Sequence, residues 1–304
     1  MGAFSRSWSL FKSTWRVLMA DKELLVFPFL AALVTLVTSV TIFGLGMAAI
    51  AMNPALADTV SNAAQSMDNG DASPATTAAF IVLLFVYYLV MAFIANYFMT
   101  GLAGAALIRF EGGDPTFGDG VRIANSRLGV IFGFSAVAAT VGVLLSLLRN
   151  RGGEGGNTGG RILAALGGTA WNIATFLVIP VIAAQKVNPI DAIKRSAAML
   201  RHTWGEQLVG ATGIGFIFGI LIVLAVVLFG ALTVMLGSAT GSVTAVIVMI
   251  VLAVIVVALL AVINSTLGGI YRAAVYHYAE TGEVAQQYTP ELIATAFKAK
   301  GSPA

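Results

Sequence analysis

The chain has 304 residues, of which 58% are apolar and only 10% are charged, whereas an average soluble domain has about 25% charged residues. This composition excludes a soluble enzyme, because too few charged side chains are available to cover a water-exposed surface of this size. With no cysteine and two histidines, the chain also lacks the usual ligands of zinc and iron–sulfur sites, and we expect no metal or other cofactor.

The first segment, residues 1–23, is predicted to form an amphipathic helix that lies on the membrane. Its apolar side chains recur every three or four residues, which is the spacing of one helix face, and its cations lie mostly on the other side. The apolar face consists of Phe4, Trp8, Phe11, Trp15 and Leu18. We expect this helix at the cytoplasmic interface of the bilayer.

Long segments without Asp, Glu, Lys or Arg follow, and each is long enough for the roughly 20 residues that a membrane-spanning helix needs. The last of them holds two spans once it is divided at the turn-like residues 237–241. Lipid requires each span to satisfy its own backbone, so the segments predict helices. The predicted spans are residues 24–50, 78–107, 128–148, 162–185, 207–236 and 242–270. The predicted fold is therefore all-α, a polytopic bundle of six transmembrane helices within residues 24–281.

The segment between the fourth and fifth spans repeats the pattern of the N-terminal helix. The two segments align without gaps, so that Arg6 matches Arg195, Lys12 matches Arg201 and Trp15 matches Trp204. A weaker copy over residues 117–128 precedes the third span. These copies predict three units, each an interfacial helix followed by a membrane hairpin. The positions of this interfacial motif are Arg6, Lys12, Trp15, Asp191, Lys194, Arg195, Ser196, Arg201 and Trp204. Such helices either anchor the bundle or bind anionic lipid or a soluble partner.

The distribution of Lys and Arg predicts the orientation. With the N-terminus in the cytoplasm, all 17 basic residues fall on the inside except Arg149, Arg151 and Arg161. The alternative is that loop 149–161 is inside and that a neighbouring segment is re-entrant. We expect a multi-pass protein of the plasma membrane with both termini in the cytoplasm, the C-terminal one as a short tail over residues 282–304.

Neutral polar residues and one proline provide the candidate functional positions within the spans, since no predicted span has an ionisable residue in its core. The candidates for a polar lining or a hinge are Asn96, Asn172, Pro180 and Asn264. The alternatives are hydrogen bonds between helices for the asparagines and a tolerated kink for the proline. The small-residue pairs Gly129/Gly133 and Gly215/Gly219 predict close helix packing, within one subunit or between subunits.

Three stretches of the chain have a recognisable sequence: FSRSWSLFKSTWRVLMADKELLVFP from residue 4, GGDPTFGDGVRIANSRLGVI from residue 112 and PVIAAQKVNPIDAIKRSAAMLRHTWG from residue 180. Together they resemble a family of prokaryotic integral membrane proteins known as domain of unknown function number 6159. The resemblance implies six spans in the plasma membrane and brings no established substrate or activity.

The absence of intramembrane charge argues against a proton-coupled pump, a voltage sensor or an intramembrane protease. We therefore expect a non-enzymatic membrane scaffold or passive pore that acts as a homo-oligomer. The alternative is a carrier of an uncharged or lipid-like substrate. The expected partner is the lipid bilayer, with anionic lipids among its components, and no nucleic acid is expected at a net charge of +3. An interfacial enzyme that uses Asp114, Asp119, Asp191 or His202 is the third alternative.

Overall fold

A computed structural model describes residues 3–150, 158–203, 212–285 and 288 of the chain. The helices in this part of the chain are α1 (Ala3–Ala20), α2 (Val26–Met52), α3 (Pro54–Asn69), α4 (Pro74–Phe110), α5 (Phe117–Ser126), α6 (Leu128–Asn150), α7 (Thr158–Ala174), α8 (Val178–Ala184), α9 (Pro189–Thr203), α10 (Thr212–Thr240) and α11 (Val243–Thr281). A single 3₁₀ turn, Lys22–Leu25, joins α1 to α2. No strand occurs among the residues described.

The predicted number of spans is confirmed, because six helical segments of the described chain are long and apolar enough to cross a membrane. Residues 207–211 of the predicted fifth span lie outside the described residues. The second and sixth spans are longer than predicted. The sequence predicts that the sixth span ends at residue 270, because Arg272 is the next charged residue. In the structure, α11 continues to Thr281. It ends only where Gly282 adopts a left-handed conformation with φ of 72°, which glycine tolerates without strain.

The buried core lies at one end of the bundle, which we call the packed end. It consists of residues 100–110 of α4 and 266–277 of α11 together with parts of α1, α5, α8 and α9. At 1.5 Å per residue, Thr100 and Thr266 lie about 35–40 Å from the starts of their helices, beyond a hydrocarbon layer of about 30 Å. The most apolar windows of α4 and α11 contain no buried residue. The packed end therefore lies beyond the length of helix that a hydrocarbon layer would cover, whereas the most apolar windows of α4 and α11 have no protein core around them.

The three amphipathic helices contribute to this core. In α1, Leu10, Val17 and Leu18 are buried, whereas Trp8 remains 42% exposed. Phe11 packs on Phe218 of α10, with 6.1 Å between the ring centroids. The face that packs on protein thus overlaps the predicted apolar stripe without coinciding with it.

The start of the C-terminal tail joins the core, although the sequence predicts a separate soluble tail. Tyr288 is buried, and its hydroxyl shares a hydrogen bond of 2.9 Å with Thr14 of α1. Burial raises the pKa of the Tyr288 phenol. Trp204 and the remainder of the tail lie outside the described residues, as do the side chains of Arg6 and Arg201.

The connection between the first two spans contains an additional helix, α3, that the sequence analysis treats as a loop. The Asn53 side chain caps it by accepting a hydrogen bond of 3.2 Å from the Leu56 amide. Pro54 occupies its first turn, and Gly70 ends it with a positive φ. The Asn-Pro start and Asn-Gly end are helix-boundary signals, so the helix was readable from the sequence.

The fourth span is a broken helix rather than one continuous segment over residues 162–185. The chain turns at residues 175–177, between α7 and α8. Pro180 is the third residue of α8, where the amide hydrogen that proline lacks would have no helical partner. The break therefore precedes Pro180, and the proline belongs to the first turn of the second helix instead of kinking the middle of a single one.

Candidate functional site

A cavity of about 310 Å³ lies beside the break in the fourth span. Described residues of α4, α10 and α11 form its walls together with Phe176 from the break. They are Met99, Phe176, Gly215, Asn264, Ser265, Gly268, Tyr271 and Arg272. The cavity thus combines a polar strip on α11 with apolar side chains from other helices.

A hydrogen bond to Ser196 of the interfacial motif stabilises the break. The Leu177 amide donates to the Ser196 hydroxyl of α9 at 3.0 Å, and both residues are buried. A buried amide without a partner costs about 1–3 kcal/mol, so this bond stabilises the non-helical turn. Ser196, an expected interfacial residue, therefore fixes the geometry that places Phe176 at the cavity.

The polar strip occupies successive turns of α11. Asn264 is half-buried, and the Ser265 hydroxyl donates to the Met99 sulfur of α4 at 3.7 Å. Tyr271 is buried, and its hydroxyl has no hydrogen-bond partner among the residues that the structure describes. The strip therefore carries amide and hydroxyl groups with hydrogen-bonding capacity to spare.

Arg272 is the cation on the cavity wall. Its side chain is exposed, and its guanidinium lies 5.4 Å from the centroid of the Phe176 ring, a cation–π contact. Within the described parts of the chain, no carboxylate lies within ion-pair distance of it. From the sequence, Arg272 was interpreted only as an orientation signal in a loop, although it lies two residues after the end of the predicted sixth span.

Of the four candidate positions, only Asn264 lines this cavity. Asn96 instead donates a hydrogen bond of 3.0 Å to Ser135 of α6, which is the structural alternative. Asn172 is exposed on α7, and Pro180 is buried in α8. The structure therefore does not bring the four together.

Only one of the four glycines in the predicted small-residue pairs lies at a close helix contact. Gly133 packs tightly, since a Cβ there would lie 2.6 Å from Pro189 of α9, but Gly129, Gly215 and Gly219 have open space. The close approach in the core is between Gly101 of α4 and Gly120 of α5, where a Cβ on Gly120 would lie 2.6 Å from the Gly101 carbonyl oxygen.

At the packed end, an ion-pair network joins the start of the first span to the end of the second. Arg109 of α4 makes a bidentate pair with Asp21 and a second contact of 2.6 Å with Asp114. Glu23 accepts a hydrogen bond of 2.6 Å from the Phe117 amide at the start of α5. These contacts hold α1, α4 and α5 together.

A capping box begins α5. Thr116 accepts from the Asp119 amide at 3.2 Å, and Asp119 accepts from the Thr116 amide at 3.0 Å. Hydrogen bonds from Thr116, with a smaller contribution from Arg122, hold the pKa of Asp119 below its ordinary value. Asp119 therefore has a structural role.

The remaining described motif residues make structural contacts at the packed end. Asp191 accepts a hydrogen bond of 2.6 Å from Asn188 and lies 3.9 Å from Lys194. Arg195 pairs with Glu280 of α11 at 3.2 Å. Lys12 lies 5.7 Å from the centroid of the Trp8 ring, and Trp15 stacks on Phe11. The side chain of His202 lies outside the described residues.

The architecture is that of a multi-pass α-helical membrane protein, with six span-like helices and a packed end where the long α4 and α11 meet shorter or more polar helices. The family model described as "Family of unknown function (DUF6159)" matches residues 78–286. The chain therefore belongs to this family, as its motifs indicate. The matched range begins within α4, so the opening stretch from residue 4 lies before it. A comparison with curated proteins finds no match.

Proposed function

We propose that the protein binds a lipid-like amphiphile in the cavity beside the break and moves or presents it at the membrane interface. This is the carrier hypothesis of the sequence analysis, and the broken fourth span supports it best. Discontinuous helices are typical of substrate sites in membrane carriers, because irregular backbone at membrane depth is tolerated where it lines a cavity. Here the break contributes Phe176 to the same cavity that Asn264 of α11 lines.

The chemistry of the walls supports an amphiphile rather than an ion or a sugar. Met99 and Phe176 offer apolar surface, whereas Asn264, Ser265 and Arg272 offer polar groups on one side only. A ligand with an apolar body and a polar head matches this division.

Filling the cavity tests the proposal. A Cβ on Gly268 meets nothing within 4 Å, so Gly268→Leu places its side chain at the cavity wall without a backbone clash. The control is Gly230→Leu on α10, a position that is equally open but does not line the cavity. Native mass spectrometry after gentle extraction should show a bound lipid on the parent protein and on the control, and loss of that lipid from Gly268→Leu. Equal lipid retention by all three proteins would refute the proposal.

A homo-oligomeric scaffold or passive pore is the second candidate. It is supported by Gly215 and Gly219, which lie four residues apart on α10 with open space around them and allow close approach of a second helix. A defined closed oligomer in the same spectra would favour this candidate. Cysteines placed at Asn264 and reached by aqueous reagents from both sides at once would favour a pore.

The proposed role is non-enzymatic and located in the plasma membrane, with the packed end in the cytoplasm. The alternative catalytic carboxylates are engaged in structure, Asp119 in its capping box and Asp114 with Arg109. The three Arg residues of the opposite loop are outnumbered by the basic residues of the packed end, which supports this orientation. Reporter fusions at each terminus and within α3 test it, and opposite signals from the termini and α3 are expected.

A further inference from the structure

The depth of the cavity in the membrane indicates which part of a lipid it would hold. Measured along α11 from Val243, Asn264 lies about 32 Å away and Arg272 about 44 Å away at 1.5 Å per residue. The hydrocarbon layer is about 30 Å thick and the whole bilayer about 40–45 Å. With Val243 at the far edge of the hydrocarbon, Asn264 lies at its near edge. The Arg272 backbone then lies about 6–9 Å beyond the headgroup layer, and because helical side chains tilt toward the helix N-terminus, we expect its long side chain to bring the guanidinium back to the phosphate level.

The charge on the cavity wall is available to a ligand. Arg109 and Arg195 of the packed end are neutralised by carboxylates, whereas the described residues provide none for Arg272. Its exposed guanidinium presents several donors in a planar fork that matches phosphate oxygens. A cation in this position favours an anionic group over a neutral one.

Other residues of the cavity wall provide groups that fit the remainder of a lipid. Asn264 and Ser265 lie about two turns nearer the hydrocarbon than Arg272 and provide an amide and a hydroxyl at the depth of a glycerol backbone. Tyr271 adds a buried hydroxyl without a partner among the described residues. Phe176 and Met99 provide apolar surface on the same cavity.

We infer that the cavity binds a phosphate-bearing lipid, with its phosphate on Arg272 and its glycerol region beside Asn264 and Ser265. This inference rests on the proposed function and names the ligand class that the site selects. The shared chemistry is a phosphate group, which a lipid headgroup or free phosphate could supply, and the apolar walls favour the lipid.

Competition between two lipids that differ only in the phosphate tests the inference. Purified protein is mixed with equal amounts of dioleoyl phosphatidic acid and dioleoylglycerol, and native mass spectrometry measures the bound ratio. A charge-assisted contact predicts a preference of about tenfold for phosphatidic acid. Arg272→Gln should reduce the ratio to near one. Arg122→Gln, which removes a cation with 78% side-chain exposure from α5, should leave it unchanged.

The other outcomes distinguish failure of the phosphate assignment from failure of the proposed function. Equal binding of both lipids by the parent protein overturns the phosphate assignment but leaves the proposed function standing, whereas binding of neither lipid overturns both. Loss of the preference in Arg122→Gln also overturns the assignment, since any surface cation would then suffice. Displacement of phosphatidic acid by an equal concentration of inorganic phosphate overturns the lipid and leaves a phosphate site. If Arg272→Gln does not fold, Arg272→Lys replaces it, and an unchanged ratio there contradicts recognition by the guanidinium fork.

Discussion

Arg109 provides a sharp test of how the packed end is stabilised, because it binds one buried and one exposed carboxylate. The Asp21 side chain is 6% exposed and that of Asp114 is 93% exposed, while Arg109 itself is 21% exposed. Replacing Arg109 by Gln leaves Asp21 buried and unpaired. Loss of one partner of a fully buried pair costs about 3–5 kcal/mol, and the residual exposure of Arg109 reduces our expectation to about 2–4 kcal/mol.

The exposed carboxylate supplies the control. Asp114→Asn removes a surface pair, which is worth about 0–1 kcal/mol. The double variant Asp21→Asn, Arg109→Gln pairs two neutral amides and should cost less than the sum of its single substitutions by about 1–3 kcal/mol. The difference between Arg109→Gln and Asp114→Asn should persist at high salt, because buried pairs are poorly screened.

Thermal melts in detergent micelles, followed by tryptophan fluorescence, measure these differences. For a protein of this size, 1 kcal/mol shifts Tm by roughly 2 °C, so Arg109→Gln should lower Tm by about 4–8 °C and Asp114→Asn by less than about 2 °C. Equal shifts for the two variants, or a double variant that loses the full sum, would show that the buried pair does not hold the packed end together.

Three further substitutions probe other contacts. Gly120→Ala should destabilise the protein by about 1–3 kcal/mol, because its Cβ would overlap the backbone oxygen of Gly101. Gly219→Ala, in open space, should be neutral or slightly stabilising, and the same thermal melts compare the two variants. Ser196→Ala should lower the free energy of unfolding by about 1–3 kcal/mol, because it leaves the Leu177 amide unpaired. Hydrogen exchange of the Leu177 amide should become faster, and unchanged exchange would contradict the role of the Ser196 hydroxyl. Because the folded pKa of Asp119 is depressed, its contribution is present above its ordinary value of 3.8 and is lost as the pH falls further. Fraying of α5, measured by hydrogen exchange, should therefore increase below about pH 4, and Asp119→Asn should remove this pH dependence.

The number of spans was predictable from the sequence because the hydrophobic signal of a spanning helix is local. The ends of the spans were less predictable. A charged residue such as Arg272 ends an apolar run in the sequence, but it does not end a helix whose next turns pack against α4 and α8. The helix instead ended at Gly282, a conformational signal that is independent of hydropathy.

The candidate site was only partly predictable. Asn264 was recognisable as a polar residue in an apolar span, and Arg272 lies two turns further along the same helix, but the position of Phe176 depends on how the break in the fourth span meets α11. The break before Pro180 depends on a buried hydroxyl from Ser196, which is distant in the sequence. A proline marks where a helix is able to break, whereas tertiary hydrogen bonds decide where it does.

The hydrogen bond between Thr14 and Tyr288 joins residues that are 274 positions apart. The N-terminal helix therefore emerges from the ribosome long before the residues that complete its environment. Until α10 and α11 have been inserted, Leu10, Val17 and Leu18 lack the helices that bury them in the finished protein. We expect α1 to rest on the membrane surface during this interval, where its aromatic residues would be shielded from water before the bundle closes.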